Sequence, residues 1–336
     1  MKLTPGKLKG MNAVSDARGV IAAAAMDQRG SLQKALAKEK GSPATPAMME
    51  EFKLAVSRGL TPYASAILLD PEYGLPAAAA RAKNAGLLLA YEESGYDNTQ
   101  PGRLPDLLPH SSVRRLQAAG ADCVKILLYY TPFEAAPIND VKHAFIERVG
   151  AECRAADIPF FLEFVGYDPA GGDEKGLAYA RQKPEIVRAS IAEFSQDQYG
   201  VDVLKVEIPV NTKFVAGSAA FSGEAAYSKP EALEHFCRAA AAARRPFIFL
   251  SAGVSNAEFT ESLALAAESG VAFAGVLCGR ATWKDGIAVY ARQGLAAFEQ
   301  WLATQGRANI EAVNRSLRAA SPWFAAYGAA SAAALA

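Results

Sequence analysis

Eight short apolar runs divide this chain of 336 residues, and a helical segment follows each run. The runs are rich in Val, Ile, Leu, Phe and Ala, which is typical of strands buried on both faces of a parallel sheet. They cover residues 20–27, 63–70, 86–93, 123–130, 159–167, 201–210, 246–253 and 273–280. Eight such units, without an early GxGxxG fingerprint, predict one closed (β/α)₈ TIM barrel rather than an open doubly wound sheet.

The segments between the runs complete the predicted α/β fold. Residue Pro184 is at a helix-start position for a helix at 184–195, and Asn256 is expected to cap the helix that runs to residue 269. Residues 94–110 are predicted to form a long loop. We expect the barrel, with extra N- and C-terminal helical segments, to occupy residues 1–324. The Ala-rich residues 325–336 are predicted to be a frayed tail or part of a homodimer or higher homo-oligomer contact.

The composition limits the partners. Lysine and arginine number 35, as do aspartate and glutamate, so we expect no nucleic acid and no membrane surface as a partner. The four cysteines are widely spaced, which predicts neither a disulfide framework nor a zinc knuckle. Neither a signal peptide nor a membrane span is apparent. These features favour a soluble, cytoplasmic protein.

Charged side chains within three consecutive strands are the main functional signal. Residues Lys125, Glu163 and Lys205 are embedded in otherwise apolar runs, and consecutive barrel strands are neighbours. A single such lysine is as readily structural, pairing with a carboxylate or extending to solvent, but three charges on adjacent strands favour a reactive site. Burial and the second cation are expected to lower the lysine pKa and yield a nucleophilic amine. Alternation places Glu207 inward beside Lys205.

Small residues and cations end other strands. Predicted strands seven and eight end in Ser251, Gly253, Gly279 and Arg280, at a position where barrels often bind phosphate through backbone N–H groups and a cation. Across the mouth, Gln28 and Arg29 are candidates for a second anionic group. A divalent-metal site is disfavoured, because His110 lies in a loop and His143 and His235 lie on predicted helices, where we expect them at the surface.

Seven motifs together closely resemble the tagatose 1,6-bisphosphate aldolases, which are Schiff-base ketose-bisphosphate aldolases. The motifs are AMDQRG at 25–30, LDPEYGLP at 69–76, LLLAYE at 87–92, IPFFLE at 158–163, DVLKVE at 202–207, LSAGVS at 250–255 and GVLCGRATW at 275–283. The resemblance covers almost the whole chain. The sequence departs from the family in the loops near 131–138 and 211–228, and at residues 165–166.

By this resemblance, Lys205 is the Schiff-base lysine and Glu163 is the acid and base for carbinolamine dehydration. Asp27 and Lys125 are similar to the supporting acid and lysine of related aldolases. The implied lyase reaction converts a ketohexose 1,6-bisphosphate, a small-molecule sugar phosphate, to dihydroxyacetone phosphate and glyceraldehyde 3-phosphate, with no cofactor and no metal.

Two alternatives remain open from the sequence. Related aldolases of sulfoglycolysis cleave 6-deoxy-6-sulfofructose 1-phosphate with the same lysine, giving dihydroxyacetone phosphate and sulfolactaldehyde. A non-catalytic sugar-phosphate sensor is the alternative from a different class, and the presence of both Lys205 and Glu163 argues against it.

Overall fold

A closed barrel of eight parallel strands forms the centre of the computed structural model, which describes residues 2–93 and 100–336. The strands are β1 (Ile21–Met26), β2 (Ala66–Leu69), β3 (Gly86–Ala90), β4 (Cys123–Tyr129), β5 (Phe160–Val165), β6 (Val203–Val206), β7 (Phe247–Leu250) and β8 (Gly275–Cys278). Each strand pairs with the next, and β8 closes the barrel by pairing with β1. The predicted fold is therefore confirmed.

Side-chain alternation divides the strands between two environments. A lower layer inside the barrel is apolar and includes Leu88, Cys123, Phe161, Val203 and Ile248. The intervening residues of the same strands pack outward against the helices in a second, larger core. Moving two residues toward the carboxyl end of β4, β5 and β6 replaces the apolar layer by charged side chains. The site is therefore built directly on a rigid apolar floor.

The helices cover the outside of the barrel. They are α1 (Pro5–Ala13), α2 (Gly30–Lys40), α3 (Pro46–Leu60), α4 (Leu75–Ala79), α5 (Val113–Ala118), α6 (Ala136–Ala155), α7 (Leu177–Phe194), α8 (Lys229–Ala241), α9 (Asn256–Glu268), α10 (Arg280–Trp283), α11 (Gly286–Gln293), α12 (Leu295–Trp301) and α13 (Arg307–Ser316). A π-helical turn, Leu302–Gly306, joins α12 to α13. The loop after β6 contains a short parallel pair, Val215–Ala216 and Tyr227–Ser228.

The predicted start at Pro184 is wrong, because α7 begins at Leu177 and contains this proline in its interior. Proline has no N–H to offer the carbonyl four residues earlier. That carbonyl, Ala180 O, instead accepts a hydrogen bond from the Tyr227 hydroxyl. A tertiary contact therefore satisfies the carbonyl that the proline leaves unbonded, which no local pattern reveals.

The cap predicted for α9 is displaced by one residue. The side chain of Ser255 accepts from Glu258 N at 3.2 Å, and the Glu258 carboxylate accepts from Ser255 N at 2.8 Å, which is a capping box. Residue Asn256 is the first helical residue, and its amide donates to the carbonyls of Ala281 and Asn309. The side chain of Asn256 thus connects α9 to α10 and α13.

Both ends of the sequence pack on the amino-terminal end of the barrel. The side chains of Leu3, Met11, Trp323 and Leu335 belong to the same apolar cluster as the lower barrel layer. Leu3 N donates to Leu335 O at 2.8 Å. The expectation of a frayed tail is therefore wrong, because residues near the C-terminus fill a surface that the barrel would otherwise expose.

Two further predictions concern a loop and the membrane. Of the loop expected at 94–110, residues 94–99 lie outside the described residues, while Leu107 forms an antiparallel bridge with Glu92. Within residues 2–93 and 100–336, every helix is too short or too polar to cross a membrane.

The packing of the C-terminus yields a stability prediction. Leu335 is 2% exposed, so Leu335→Ala should lower the free energy of unfolding by about 2 kcal/mol through lost burial and a residual cavity. Denaturant unfolding followed by circular dichroism measures the change. Leu75→Ala is the matched control, since Leu75 is 40% exposed and its truncation should have little effect. Equal stability of the Leu335→Ala variant and the unsubstituted protein would contradict the packing described above.

Candidate active site

Five strands carry charged side chains, within the strand or just after its end, that meet above the apolar layer. The Lys125 ammonium lies 2.9 Å from Asp27 Oδ2, 2.7 Å from Glu92 Oε1 and 2.8 Å from Glu163 Oε2. Lys205 Nζ lies 2.8 Å from the same Glu163 oxygen. Glu163 and Lys205 are direct register partners on β5 and β6, and Lys125 faces them from β4. The structure thus places the predicted Asp27, Lys125, Glu163 and Lys205 in one cluster.

The pKa of Lys125 differs from the expectation that two neighbouring lysines lower each other's pKa. Burial is the largest influence and lowers the pKa of Lys125, but Asp27, Glu163 and Glu92 together outweigh it. The pKa of Lys125 therefore rises well above its usual value. Lys125 remains an ammonium and holds three carboxylates around it, so the predicted depression is wrong for this residue.

The three carboxylates respond differently to that cation. Burial acts most strongly on Asp27 and Glu163 and raises their pKa, yet Lys125 and then Lys205 reverse the effect and leave the pKa of each below its usual value. Burial is also the largest influence on Glu92, and the lowering effect of Lys125 is too small to offset it. The pKa of Glu92 is therefore raised. Asp27 and Glu163 are therefore held as carboxylates, whereas Glu92 takes up a proton more readily.

The ends of β7 and β8 form a second part of the site. Ala252 and Gly253 both adopt positive φ, at 48° and 79°, immediately after the buried Ser251. The φ of Gly253 favours glycine, and the Arg280 guanidinium packs closely over it, 2.8 Å from where a Cβ would lie. The ammonium of Lys284 donates to Gly253 O at 3.0 Å. The predicted Ser251, Gly253, Gly279 and Arg280 thus lie on two adjoining strand ends.

Arg29 lies across the mouth and has unused donors. Its side chain is buried, and Nη2 donates to Glu92 O at 2.6 Å. Among residues 2–93 and 100–336, Nε and Nη1 have no hydrogen-bond acceptor, and Nη1 is 3.9 Å from Glu72 Oε2. Gln28 Oε1 is likewise buried without a donor from the described part of the chain. The unused Nε and Nη1 donors of Arg29 are suited to an incoming anion, whereas the unpaired Gln28 Oε1 is an acceptor, so only the amide nitrogen of Gln28 could donate to one.

Glu92 of this cluster was missed in the sequence, as were the packed cations Lys53 and Arg103. Strand alternation continued two residues past Ala90, the last residue of β3, could have identified Glu92 as inward-facing. Lys53, on the apolar face of α3, gives no comparable signal, although it is fully buried against Asp70. Arg103 lies between the rings of Tyr129 and Tyr167, with its Cζ 5.0 Å and 4.9 Å from their centroids. Long-range packing alone places Lys53 and Arg103.

Glu207 and the histidines lie apart from the lysine cluster. This name is used for the group formed by Asp27, Glu92, Lys125, Glu163 and Lys205. The Glu207 carboxylate accepts from Gly166 N at 2.8 Å and pairs with Lys183 at 3.1 Å, rather than with Lys205. His110 is exposed, and His143 and His235 are half-buried, with one side of each ring against aromatic rings. The described ranges contain no group of three or more His, Cys, Asp or Glu side chains arranged to hold a metal ion.

Comparisons with known proteins agree with this architecture. Residues 21–285 match the model of the DeoC/LacD family aldolases. A tagatose 1,6-diphosphate aldolase of Listeria monocytogenes serotype 4b (strain CLIP80459) is 52% identical over 98% of this chain and 96% of its own length. Tagatose 1,6-diphosphate aldolase 2 of Enterococcus faecalis (strain ATCC 700802 / V583) is 54% identical over 97% of this chain and 98% of its own.

Solved structures extend the likeness at the level of the fold. A fructose-bisphosphate aldolase from Plasmodium falciparum superposes with a TM-score of 0.64 at 15% identity, covering 93% of this chain and 96% of that one. An archaeal fructose 1,6-bisphosphate aldolase gives a TM-score of 0.57 at 14% identity, covering 91% and 98%. The family match and the two near-full-length relatives show that the chain belongs to the DeoC/LacD family of aldolases.

Proposed function

We propose that this protein is a Schiff-base aldolase that reversibly cleaves tagatose 1,6-bisphosphate, and also fructose 1,6-bisphosphate, to dihydroxyacetone phosphate and glyceraldehyde 3-phosphate. The observation that carries the proposal is the buried Lys205 amine, 2.8 Å from the Glu163 carboxylate in a barrel of the aldolase family. Relatives at 52% identity that are named tagatose 1,6-diphosphate aldolase support the choice of substrate. The proposed place of action is the cytoplasm.

The first half of the reaction makes the covalent intermediate. Lys205 passes a proton to Glu163 across their 2.8 Å contact, and the neutral amine attacks the C2 carbonyl of the ketose. The resulting carbinolamine loses its hydroxyl group as water when Glu163 returns the proton. An iminium then joins C2 to Lys205 Nζ, and Glu163 is a carboxylate again.

Cleavage follows from the iminium as an electron sink. A carboxylate facing the iminium accepts the proton of the C4 hydroxyl, the C3–C4 bond breaks, and its electron pair moves into the enamine formed at C3, C2 and nitrogen. Glyceraldehyde 3-phosphate departs. Protonation of C3 and hydrolysis of the iminium then release dihydroxyacetone phosphate and regenerate Lys205. Lys125, which stays an ammonium, stabilises the carboxylates through this sequence.

The two phosphates have separate proposed sites. Ser251, Gly253, Gly279 and Arg280 bind the phosphate of the dihydroxyacetone half through backbone N–H groups and the guanidinium. Gln28 and Arg29 bind the distal phosphate, a role that the unused Nε and Nη1 donors of Arg29 support among the described residues. A phosphate carries a charge of about −1.5 to −2 at neutral pH, which suits a buried guanidinium.

Borohydride trapping tests the covalent step. Reduction of the protein with dihydroxyacetone phosphate present should add the reduced triose phosphate to the peptide that contains Lys205, as read by mass spectrometry. The Lys205→Met variant should gain no such mass. An unmodified Lys205 peptide in the unsubstituted protein, or a label confined to another lysine, would rule out the mechanism.

Substrate preference and metal dependence test the assignment of the reaction. We expect kcat/KM for the tagatose and fructose bisphosphates to exceed that for 6-deoxy-6-sulfofructose 1-phosphate by about tenfold or more, equal to about 1.4 kcal/mol, because a sulfonate carries less charge than a phosphate. Activity should be unchanged in excess EDTA, since the iminium is the electron sink. Turnover of the sulfonate alone would contradict the substrate, and loss of activity restored by zinc would contradict the chemistry.

Removing Lys125 should change how the free energy of unfolding depends on pH. In the Lys125→Met variant, Asp27, Glu92 and Glu163 would lack their shared cation, at a cost of about 3–5 kcal/mol at pH 7. In the unsubstituted protein the lowered pKa values of Asp27 and Glu163 give stability that is present above their unfolded pKa near ~4 and is lost as the pH falls.

The difference in unfolding free energy between the unsubstituted protein and the variant should therefore shrink from pH 7 toward pH 4. Lys125 itself does not titrate in this window, because its raised pKa keeps its contribution fully present below about 10.4, the unfolded value. Urea unfolding across this range measures the difference. The exposed Lys9→Met serves as the control, and a pH-independent difference for Lys125→Met would contradict the ion cluster.

A further inference from the structure

A second buried ion pair lies directly behind the lysine cluster. Lys53 of α3 and Asp70, which follows β2, are both fully buried and form an ion pair. Lys53 Nζ also donates to Met26 O and to Gln28 O, each at 2.8 Å. Asp70 in turn accepts from Tyr73 N at 2.8 Å, which fixes its carboxylate. The Lys53 ammonium therefore has three oxygen partners, all from the region where β1 and β2 end.

The two carbonyls bound by Lys53 flank Asp27. Strand β1 ends at Met26, and the backbone leaves regular geometry before α2, with Arg29 at φ −112° and ψ −88°. Carbonyls that leave a sheet lose their strand partners and need others when buried. One ammonium supplies a donor to both, and so fixes the peptide group that precedes Asp27 and the one that follows Gln28.

Fixing that backbone also fixes the Asp27 side chain. Its Oδ2 lies 2.9 Å from Lys125 Nζ, whereas its Oδ1 has no hydrogen-bond partner among the described residues. Within the described ranges, the position of the carboxylate thus depends on one side-chain contact and on the direction in which the backbone holds it. A shift of about 1 Å at such a site is enough to cost a large factor in rate.

A buried ion pair is a weak source of stability, because the cost of removing two charges from water offsets their attraction. Apolar side chains at these positions would complete the core between α3 and the barrel. The pair is instead placed where its only other partners among the described residues are the carbonyls around Asp27 and a backbone N–H. Its geometry therefore favours a role in the site over a role in general stability.

We propose that Lys53 and Asp70 are positioning residues that hold the Asp27 carboxylate against Lys125 during turnover. Lys53 binds both carbonyls that flank Asp27, and Asp70 orients and neutralises Lys53. This inference rests on the proposed function, since it requires that the Asp27–Lys125 contact supports the chemistry of Lys205. Neither residue touches the substrate in this assignment.

The test is a double variant that removes both charges together. In Lys53→Met/Asp70→Asn the buried volume is nearly kept, the new side-chain amide oxygen can still accept from Tyr73 N, and no unpaired charge remains. We expect near-normal thermal stability and a kcat for tagatose 1,6-bisphosphate at least about tenfold lower. KM should change less than kcat, and any rise in KM reflects the contact of Lys53 with Gln28 O beside the proposed distal phosphate site.

The pH profile provides a readout that a purely structural role would not change. The charged groups that act on Lys53 are Asp70, Asp27 and Arg29, and Lys53 in turn helps to lower the pKa of Asp27. Removing Lys53 should therefore move the acidic limb of kcat to higher pH. A folded double variant with normal kcat and a normal pH profile would overturn the proposal.

A matched control comes from the opposite end of the barrel. Lys7 Nζ contacts both Asp202 oxygens at 2.8 Å, and this pair is also largely buried. Lys7→Met/Asp202→Asn should alter stability without altering kcat or its pH profile. An equal loss of kcat in this control would also overturn the proposal, because any buried pair would then have the same effect.

Two further measurements complete the design. If Lys53→Met/Asp70→Asn does not fold, Lys53→Gln/Asp70→Asn is measured by the same criteria, since the glutamine amide restores donors near the two carbonyls and should give an intermediate kcat. Borohydride trapping at Lys205 in the unsubstituted protein separates the two proposals. If Lys205 is not trapped, the proposed function is contradicted. If Lys205 is trapped and the folded double variant has a normal kcat, only the positioning role is contradicted.

Discussion

The Lys125 ammonium connects most of the charged side chains described in this protein's active site. It contacts carboxylates that follow or belong to β1, β3 and β5, while its own strand, β4, supplies the backbone that carries it. Through the shared Glu163 oxygen it also determines the environment of Lys205. Because Lys125 remains charged, the neighbouring carboxylates can be buried together, and a reactive amine can be placed beside one of them without leaving an isolated negative charge.

The apolar layer inside the barrel strengthens the electrostatic interactions within this cluster. Side chains such as Phe161 and Val203 fill the space below Glu163 and Lys205, so the charged atoms face apolar groups on one side and the open mouth on the other. Charges interact more strongly where water is excluded from part of their surroundings. The same strands therefore provide both the apolar support and the reactive groups, separated by two residues along the chain.

The sequence was sufficient to predict the barrel and the convergence of Lys125, Glu163 and Lys205, because charged residues inside apolar runs are conspicuous and strand alternation decides which way they face. It was not sufficient for Lys53, since a lysine among apolar residues of an amphipathic helix normally extends to solvent. The helix start predicted at Pro184 is wrong for a similar reason. The carbonyl that this proline leaves unbonded, Ala180 O, accepts a hydrogen bond from the distant Tyr227 hydroxyl. In both cases the deciding partner is distant in sequence, and only packing brings it close.

The contact between Leu3 and Leu335 has a consequence for the order of the chain around the barrel. Residues near the two ends of the sequence are hydrogen-bonded to each other on the face opposite the lysine cluster. A short covalent link between them would not obstruct the mouth. Because the eight strands form a closed barrel, the sheet has no edge strand. A covalent connection from Leu3 to Leu335 would therefore preserve the barrel and leave the mouth open, with the chain opened instead in an exposed turn.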